Sequence, residues 1–160
     1  MVDATPKHAA RIAVTMRVEE IRELQAASGM APDDAVIFAI AVSQYTRTIL
    51  VDGEPAALFG VAPLPSEEKE GGPVGSVWLL ASNLVDEVPI EFTKVCLKEL
   101  SRMREDWAVL INFIDARYEK ALRWAYWMGF EVRAPIPYGR AQLPFHPIRI
   151  ERTKCVDPQA

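Results

Sequence analysis

Glycine is missing from a long part of this sequence, and that absence restricts what the protein can bind. The 160 residues include eight glycines, but none occurs between Gly75 and Gly129. An apolar strand, a turn and a helix are predicted inside this interval, at residues 76–104. A turn without glycine keeps a side chain on every Cα that faces a ligand, so the usual glycine-rich phosphate loop is excluded there.

Residues that bind metals or act as nucleophiles are also few. The two cysteines are Cys96, on a predicted apolar helical face, and Cys155. They do not form a disulfide framework, and they fit a reducing compartment. Neither His8 nor His146 has another ligand at metal-binding spacing, and no Gly-x-Ser-x-Gly turn occurs. We therefore predict no metal site and no serine-hydrolase nucleophile.

Strong charge and long apolar runs are absent as well. The formal net charge is -4, which does not favour nucleic acid or an anionic membrane as a partner. No apolar segment approaches the roughly 20 residues of a membrane-spanning helix, and the first residues lack a signal-peptide pattern. We predict a soluble protein made inside the cell. A local basic bias at Arg140, Arg149, Arg152 and Lys154 is typical of a solvated tail, with contact to an acidic partner as the alternative.

Apolar periodicity and turn residues predict strands and helices in alternation. The predicted strands are residues 9–14, 46–51, 55–61, 76–81, 108–114, 130–134 and 147–152, the last at a sheet edge. The predicted helices are residues 15–28, 32–45, 89–104 and 116–128, with Thr15 as the N-cap of the first and Asp115 opening the last. Asp52-Gly53 predicts a two-residue hairpin turn, and residues 64–74 predict an exposed loop.

Two strand–helix–strand units favour right-handed crossovers and parallel pairing in the middle of a sheet. The early hairpin adds an antiparallel part. The sequence therefore predicts a single α/β domain over residues 1–160, with a tail from about residue 153 that is flexible. Its mixed central sheet has about six or seven strands, with helices on both faces.

The terminal strand–helix–Gly–Phe pattern gives the first indication of a family. Ala121 and Gly129-Phe130 match the positions at which the helix of GNAT acetyltransferases packs closely and ends. The order of elements over nearly the whole chain also resembles the GNAT fold. This resemblance implies an acetyl-CoA site at a glycine-rich turn after the central strand, where backbone N–H groups of the next helix hold the pyrophosphate.

The sequence departs from that pattern at the positions that carry the chemistry. The corresponding turn, residues 82–90, has no glycine and places Asp86, Glu87 and Pro89 at the helix start. Two like unit charges about 4 Å apart repel by roughly 4 kcal/mol at an effective dielectric of 20, so a pyrophosphate is disfavoured there. The family's tyrosine acid, four residues before the terminal glycine, corresponds to Ala125, and its helix-opening asparagine corresponds to Tyr118. We predict no bound cofactor and no catalytic residues.

A second resemblance is to the GNAT-like internal virion and assembly proteins of short-tailed, T7-like bacteriophages. It rests on residues 53–61, 78–82 and 115–117, on Ala121, on Arg123-Trp124, on Gly129-Phe130 and on residues 144–145. It implies a phage protein that works through contacts with other virion proteins or with itself, in the host cytoplasm during synthesis and then in the virion.

Aromatic residues supply the candidate contacts. Trp124, Tyr126 and Trp127 lie on one predicted helix, where core packing is the favoured interpretation. One helix cannot bury all three, so at least one is expected to face a partner. Residues 143–150 are apolar and proline-rich, which is typical of an edge cover or a docking strand. The predicted partner-binding residues are Trp127, Tyr126, Tyr138, Arg140 and Phe145.

The alternative is an active N-acetyltransferase that binds acetyl-CoA through a different loop. In that case the backbone of Asn83, Leu84 and Val85 binds the cofactor, and Tyr126 or Tyr118 is the acid. Tyr126 is one residue beyond the family's position and is therefore turned by about 100° around the helix, which makes it a poor substitute. Glu54 or Asp52 is a remote candidate base, supported by charge alone.

Overall fold

An eight-stranded mixed sheet forms the centre of the protein, as seen in a computed structural model that describes residues 1–65 and 71–152. The strands are β1 (Val2–Asp3), β2 (Tyr45–Val51), β3 (Glu54–Leu64), β4 (Val74–Ala81), β5 (Val109–Asp115), β6 (Glu131–Val132), β7 (Ile136–Tyr138) and β8 (Leu143–Glu151). Their order is β1-β2-β3-β4-β5-β8-β6, and β7 also pairs with β8. Only β4 and β5 pair in parallel among these strands.

Within the described residues, five helices cover the two faces of the sheet. They are α1 (Pro6–Thr15), α2 (Val18–Ala27), α3 (Pro32–Val42), α4 (Pro89–Asp106) and α5 (Glu119–Trp127). Side chains alternate across a strand, so neighbouring residues belong to different cores. Leu58 packs with α1 and α3, whereas Phe59 packs with α4 and α5. The predicted mixed α/β sheet with helices on both faces is confirmed, with eight strands rather than six or seven.

The hairpin between β2 and β3 forms where Asp52-Gly53 predicts it. Asp52 has φ of 50° and Gly53 has φ of 83°, as a two-residue turn between twisted strands requires. The predicted parallel pairing is found between β4 and β5. The second predicted unit behaves differently, because β8 inserts between β5 and β6 and pairs antiparallel with both.

The predicted first strand, residues 9–14, is wrong because these residues lie in α1. Thr5 caps the helix through its hydroxyl, which accepts a hydrogen bond from the His8 backbone N–H at 3.3 Å, and Pro6 occupies the first turn. Ala9, Ile12 and Ala13 are buried, and their spacing is helical. The short apolar run was too brief to separate the strand period from the helix period, and the capping residues decide it.

Two helix starts also differ from the prediction. Thr15 ends α1 and donates its hydroxyl hydrogen to the Arg11 carbonyl, so it does not cap α2, which begins at Val18. The last helix begins at Glu119 rather than residue 116. The Asp115 carboxylate accepts hydrogen bonds from the Arg117 backbone and side chain. These bonds hold residues 115–117 in a local turn, so the helix starts three residues later than predicted.

The predicted edge strand, residues 147–152, is wrong in position. It forms the second half of β8, which starts at Leu143 and pairs with β5 on one side and with β6 and β7 on the other. Pro144 and Pro147 have no backbone N–H to donate, but their carbonyl groups still accept hydrogen bonds. The Pro147 carbonyl, for example, accepts a hydrogen bond from the Arg133 backbone at 2.9 Å.

Three predictions fall on residues outside the described part of the chain. They are the middle of the exposed loop at residues 66–70, the tail from residue 153, and the placement of Cys155. Cys96 is described, and it is buried with a free thiol. No helix within residues 1–65 and 71–152 is long and apolar enough to cross a membrane.

Candidate functional site

A groove opens where β4 and β5 diverge. The two strands pair only through Val74–Val109, Gly75–Leu110 and Ser76–Ile111, near their starts. Beyond these pairs the sheet separates into two halves, because β4 stays bonded to β3 and β5 stays bonded to β8. The carboxyl-terminal ends of β4 and β5 therefore border a cavity of about 240 Å³ between the sheet, α2, α4 and α5.

Most of the groove wall is apolar and comes from α4 and α5. Its lining residues include Phe92, Cys96, Leu100, Met103, Ala121, Trp124, Ala125 and Met128. Phe92 and Trp124 stack with ring centroids 5.8 Å apart, and the Trp124 indole N–H donates to the Thr93 hydroxyl at 3.4 Å. These contacts fix α5 against α4 and give the groove a rigid hydrophobic side.

Two glutamates of α2 form the opposite, polar side. Glu20 Oε2 accepts a hydrogen bond from the Ala81 backbone N–H at 2.6 Å, at the end of β4. Glu23 Oε2 accepts one from the Asp115 backbone N–H at 3.0 Å, at the end of β5. Buried backbone donors need partners, and diverging strands no longer supply them to each other. The two carboxyls therefore occupy donors that an extended, amide-containing ligand in the groove would use.

Burial governs the ionisation of this pair. It raises the pKa of Glu20 to about 7, against the opposing effects of Arg17 and of the Ala81 hydrogen bond. Burial also raises the pKa of Glu23 to about 7, and repulsion from Glu20 and Asp115 adds to the rise. The two sites interact, so they titrate as a pair. Near neutral pH the groove therefore holds partly protonated carboxyls.

Arg17 connects the glutamates to the mouth of the groove. Its guanidinium lies 2.7 Å from Glu20 Oε1 and 3.8 Å from Asp86 Oδ1. The same group lies 5.8 Å from the centroid of the Tyr118 ring. Asp86 is also paired with Lys120, whose Nζ is 2.5 Å from Oδ1. The expected charge repulsion at this turn is thus reduced, because Asp86 already has two cationic partners.

The turn after β4 uses its own backbone donors. Residues Asn83–Glu87 form a 3-10 turn, capped by the Ser82 hydroxyl, which accepts from the Leu84 N–H at 3.3 Å. The Val85 N–H donates to the Ser82 carbonyl at 3.4 Å, and the Val85 side chain is buried. Two of the three residues proposed to hold a cofactor by their backbone are therefore already hydrogen-bonded within the turn.

The candidate tyrosine acids lie in different places. Tyr118 is buried at the start of α5 and lines the groove, and burial raises the pKa of its hydroxyl. Tyr126 is 74% exposed, and Ala125 faces the groove instead. The candidate bases Asp52 and Glu54 are exposed in the β2–β3 hairpin, where Glu54 pairs with Arg11 at 3.3 Å. They are not among the residues that line the groove.

The predicted partner-binding residues fall into two groups. Tyr126 and Trp127, which is 68% exposed, lie on the outer side of α5, whereas Trp124 points into the core. Tyr138 is half-buried and stacks on Phe113 with centroids 4.0 Å apart. Phe145 is 1% exposed, so its side chain is part of the interior rather than of a surface. Arg140 is exposed, and its backbone N–H donates to the Ala27 carbonyl at 2.8 Å.

Other reactive groups in the groove are held in an unreactive form. Burial, with a contribution from Glu99, raises the pKa of the Cys96 thiol to about 12, so the thiol stays protonated. Glu99 is buried and accepts hydrogen bonds from the Tyr45 hydroxyl at 2.5 Å and from Arg102 at 2.9 Å. Within residues 1–65 and 71–152, no cluster of three or more histidine, cysteine or acidic side chains could hold a metal ion.

Three solved structures with the same architecture have low sequence identity to this chain. A ribosomal-protein-alanine N-acetyltransferase from Brucella melitensis superposes with a TM-score of 0.68 and 12% identity, over 93% of this chain and 97% of that one. An acetyltransferase candidate from Salmonella typhimurium, in complex with its cofactor acetyl-CoA, gives 0.61 and 15%, over 99% and 96%. The protein has the GNAT fold. A GNAT-family acetyltransferase from Streptococcus pneumoniae gives 0.58 and 11%, over 93% and 96%.

No protein-family model matches the sequence, and no curated protein is significantly similar to it. The solved structures therefore establish the fold of this GNAT-fold protein and leave its activity open. Sequence reasoning did not identify Glu20 and Glu23 as site residues. They lie three residues apart beside the apolar residues Ile21 and Leu24, a pattern that ordinary surface acids of a helix share.

Proposed function

We propose that this GNAT-fold protein does not transfer acetyl groups and acts through contacts with other proteins. The observation that carries the proposal is the occupation of the Ala81 and Asp115 N–H groups by Glu20 and Glu23. An acetyl-CoA arm in the groove would have to displace two carboxyls and leave them near Asp115, a third carboxylate. The displaced groups would need water or cations, so binding would lose free energy at this step.

The turn after β4 supports the same proposal. A pyrophosphate needs free backbone donors at a helix start, but Leu84 and Val85 donate within their own turn and Pro89 has no N–H. Glycine is absent from this turn, so the backbone cannot come closer to an anion.

The exposed pair on α5 is the proposed contact. Tyr126 and Trp127 present large apolar surfaces to solvent, and such side chains often carry most of the binding energy at protein interfaces. The resemblance of the sequence to short-tailed phage internal virion proteins gives the proposed class of partner. It is another virion protein or a second copy of this chain, met in the host cytoplasm during synthesis and in the virion afterwards.

A titration with acetyl-CoA tests the first part. We expect no heat of binding and no shift in the unfolding temperature at pH 7. A ligand present at 100 times its Kd would stabilise the protein by about 2.7 kcal/mol, which is easily measured. Saturable binding in the micromolar range, together with release of coenzyme A in the presence of an amine, would overturn the proposal.

A capture experiment tests the second part. The tagged protein, incubated with the virion proteins of a short-tailed phage, should retain one of them. Replacing both Tyr126 and Trp127 by alanine should abolish this capture. The matched control is Phe38→Ala, because Phe38 is also an exposed aromatic residue but lies on α3. Equal loss in the control, or no loss in the double variant, would remove the α5 surface as the contact.

The second candidate is an acetyl-CoA-dependent N-acetyltransferase, and the open groove itself favours it. A cavity of about 240 Å³ remains at the diverging strands, with Tyr118 and two carboxyls beside it. A general base works best when its pKa is near the operating pH, and Glu20 and Glu23 meet that condition. If turnover is found, Tyr118→Phe should lower kcat by removing the proton donor, and Tyr126→Phe should leave it unchanged.

A further inference from the structure

Helix α2 is attached to both halves of the divided sheet. At its start, the Arg17 N–H donates to the Ala81 carbonyl at 3.1 Å, next to a bridge between Met16 and Ser82. At its end, the Ala27 carbonyl accepts from the Arg140 N–H at 2.8 Å. The helix thus crosses the open end of the groove from β4 to the connection between β7 and β8, and it is held at both ends.

Between these attachments, the helix touches the groove through Glu20 and Glu23. Each side chain bonds one half of the sheet, Glu20 through Ala81 and Glu23 through Asp115. Because the backbone of α2 is fixed at both ends, the two side chains are the parts that can move without unfolding the helix. Their rotation away from the strands would open a path from the α2 side into the cavity.

The charged and titratable groups around the pair are mainly acidic or neutral. Facing it are Arg17 and Glu19 from the α2 region, Asp86 from the turn after β4, Asp115 from the end of β5, Tyr118 from the start of α5 and Tyr138 from β7. Arg117 is engaged by Asp115, and Lys120 by Asp86. Within the described part of the chain, Arg17 is the one cation that bonds either glutamate.

We infer that Glu20 and Glu23 form a gate across the groove, which holds the Ala81 and Asp115 N–H groups and releases them when both carboxyls have lost their protons. With both protons gone, Glu20 keeps Arg17 as its cationic partner, whereas the Glu23 carboxylate is repelled by Glu20 and Asp115. The free energy of the closed arrangement then rises, whereas rotation into water solvates each charge.

The ionisation of the pair sets the pH range of the gate. Burial raises both pKa values from 4.5 to about 7 in the closed form, and a solvated carboxyl in the open form returns to its ordinary value. The closed form therefore binds more protons than the open form between these limits, and its population falls as pH rises through them. Each carboxyl changes the open-to-closed ratio by a factor of about 70 between pH 5 and pH 8, so we expect the pair to raise it on the order of a thousandfold.

Nuclear magnetic resonance of the full chain tests the gate directly. Carboxyl carbons of labelled glutamate should show Glu20 and Glu23 titrating with midpoints near 7. The amide signals of Ala81 and Asp115 should move with the same midpoint. The protection of both amides from solvent exchange, corrected for the intrinsic pH dependence, should fall on the order of a thousandfold between pH 5 and pH 8.

The double variant with Glu20→Gln and Glu23→Gln should make both amide signals independent of pH, and Glu19→Gln is the control that should retain the transition. Amide signals that stay constant from pH 5 to 8.5 in the unmodified protein would overturn the gate, as would midpoints below 5. The unmodified protein decides these outcomes even if the double variant does not fold. No coenzyme is present, so the result is separate from the acetyl-CoA titration.

Discussion

The two walls of the groove are built from opposite chemistry. The α4–α5 wall is apolar, with Leu100 and Met128 buried in it, whereas the α2 wall is charged through Glu20 and Glu23. The apolar wall is part of the main hydrophobic core, so its residues would be buried whether or not the groove binds a ligand. The charged wall exists because the strands diverge and leave donors without partners. The same groove is therefore held by packing on one side and by local hydrogen bonding on the other.

Truncation of the apolar wall should have the largest effect. Leu100→Ala removes a side chain that is 6% exposed and enlarges the existing cavity, so we expect a loss of about 3 kcal/mol in the free energy of unfolding. Leu97 is 39% exposed on the same helix, and Leu97→Ala should cost less than about 1 kcal/mol. Urea unfolding measures both. Equal losses would show that the wall does not belong to the packed core.

Neutralising the charged wall should change the free energy of unfolding by less, and it should stabilise rather than destabilise the protein. Glu23 has a folded-state pKa of about 7, above its ordinary value, so the protein loses stability as pH rises from about 4.5 to 7. Glu23→Gln removes this titration and should raise the free energy of unfolding by about 2 kcal/mol at pH 8, with little change at pH 4.5.

Urea unfolding at the two pH values, with Glu19→Gln as the matched exposed control, checks the sign. Destabilisation of Glu23→Gln at pH 8 would mean that the ionised carboxylate, rather than the protonated form, stabilises the closed groove. The contrast between the two walls would then be smaller than the structure indicates.

A substitution at the mouth of the groove should have the smallest effect on the free energy of unfolding. Asp86 pairs with Lys120, but both side chains are well exposed, at 42% and 63%. Exposed ion pairs contribute about 0.2–1 kcal/mol at most, so Asp86→Asn should lower the free energy of unfolding by about 0.5 kcal/mol or less. Thermal unfolding at low and high salt measures this. A loss above about 2 kcal/mol would place Asp86 in the structural network of Arg17 and Glu20.

The parts of the fold that follow from local patterns could be predicted. The Asp52-Gly53 turn, the apolar strands β4 and β5, and the amphipathic α4 have strong periodicity or a specific turn residue. Helix α1 was missed because its apolar residues form a short run, and the decisive signal, Thr5 before Pro6, lies outside that run. The interior position of β8 could not be read locally, since strand order depends on long-range pairing.

Only some features around the groove could be predicted. The absence of glycine after β4 and the outward orientation of at least one α5 aromatic residue follow from the sequence. Glu20 and Glu23 could not be assigned, because a glutamate beside the apolar stripe of a helix has the same pattern whether it faces water or a strand end. Their role depends on the divergence of β4 and β5, and strand divergence leaves no local sequence signature.

The position of β8 also constrains the order of assembly during synthesis. This strand is the last described element along the chain, yet it lies between β5 and the pair β6 and β7. Until it emerges from the ribosome, β5 has a bare edge on that side, and β6 and β7 have no neighbour to pair with. Nascent chains that stop before residue 143 should therefore expose the unpaired edge of β5 and bind chaperones. The chaperones should dissociate once β8 has been synthesised and has paired with β5.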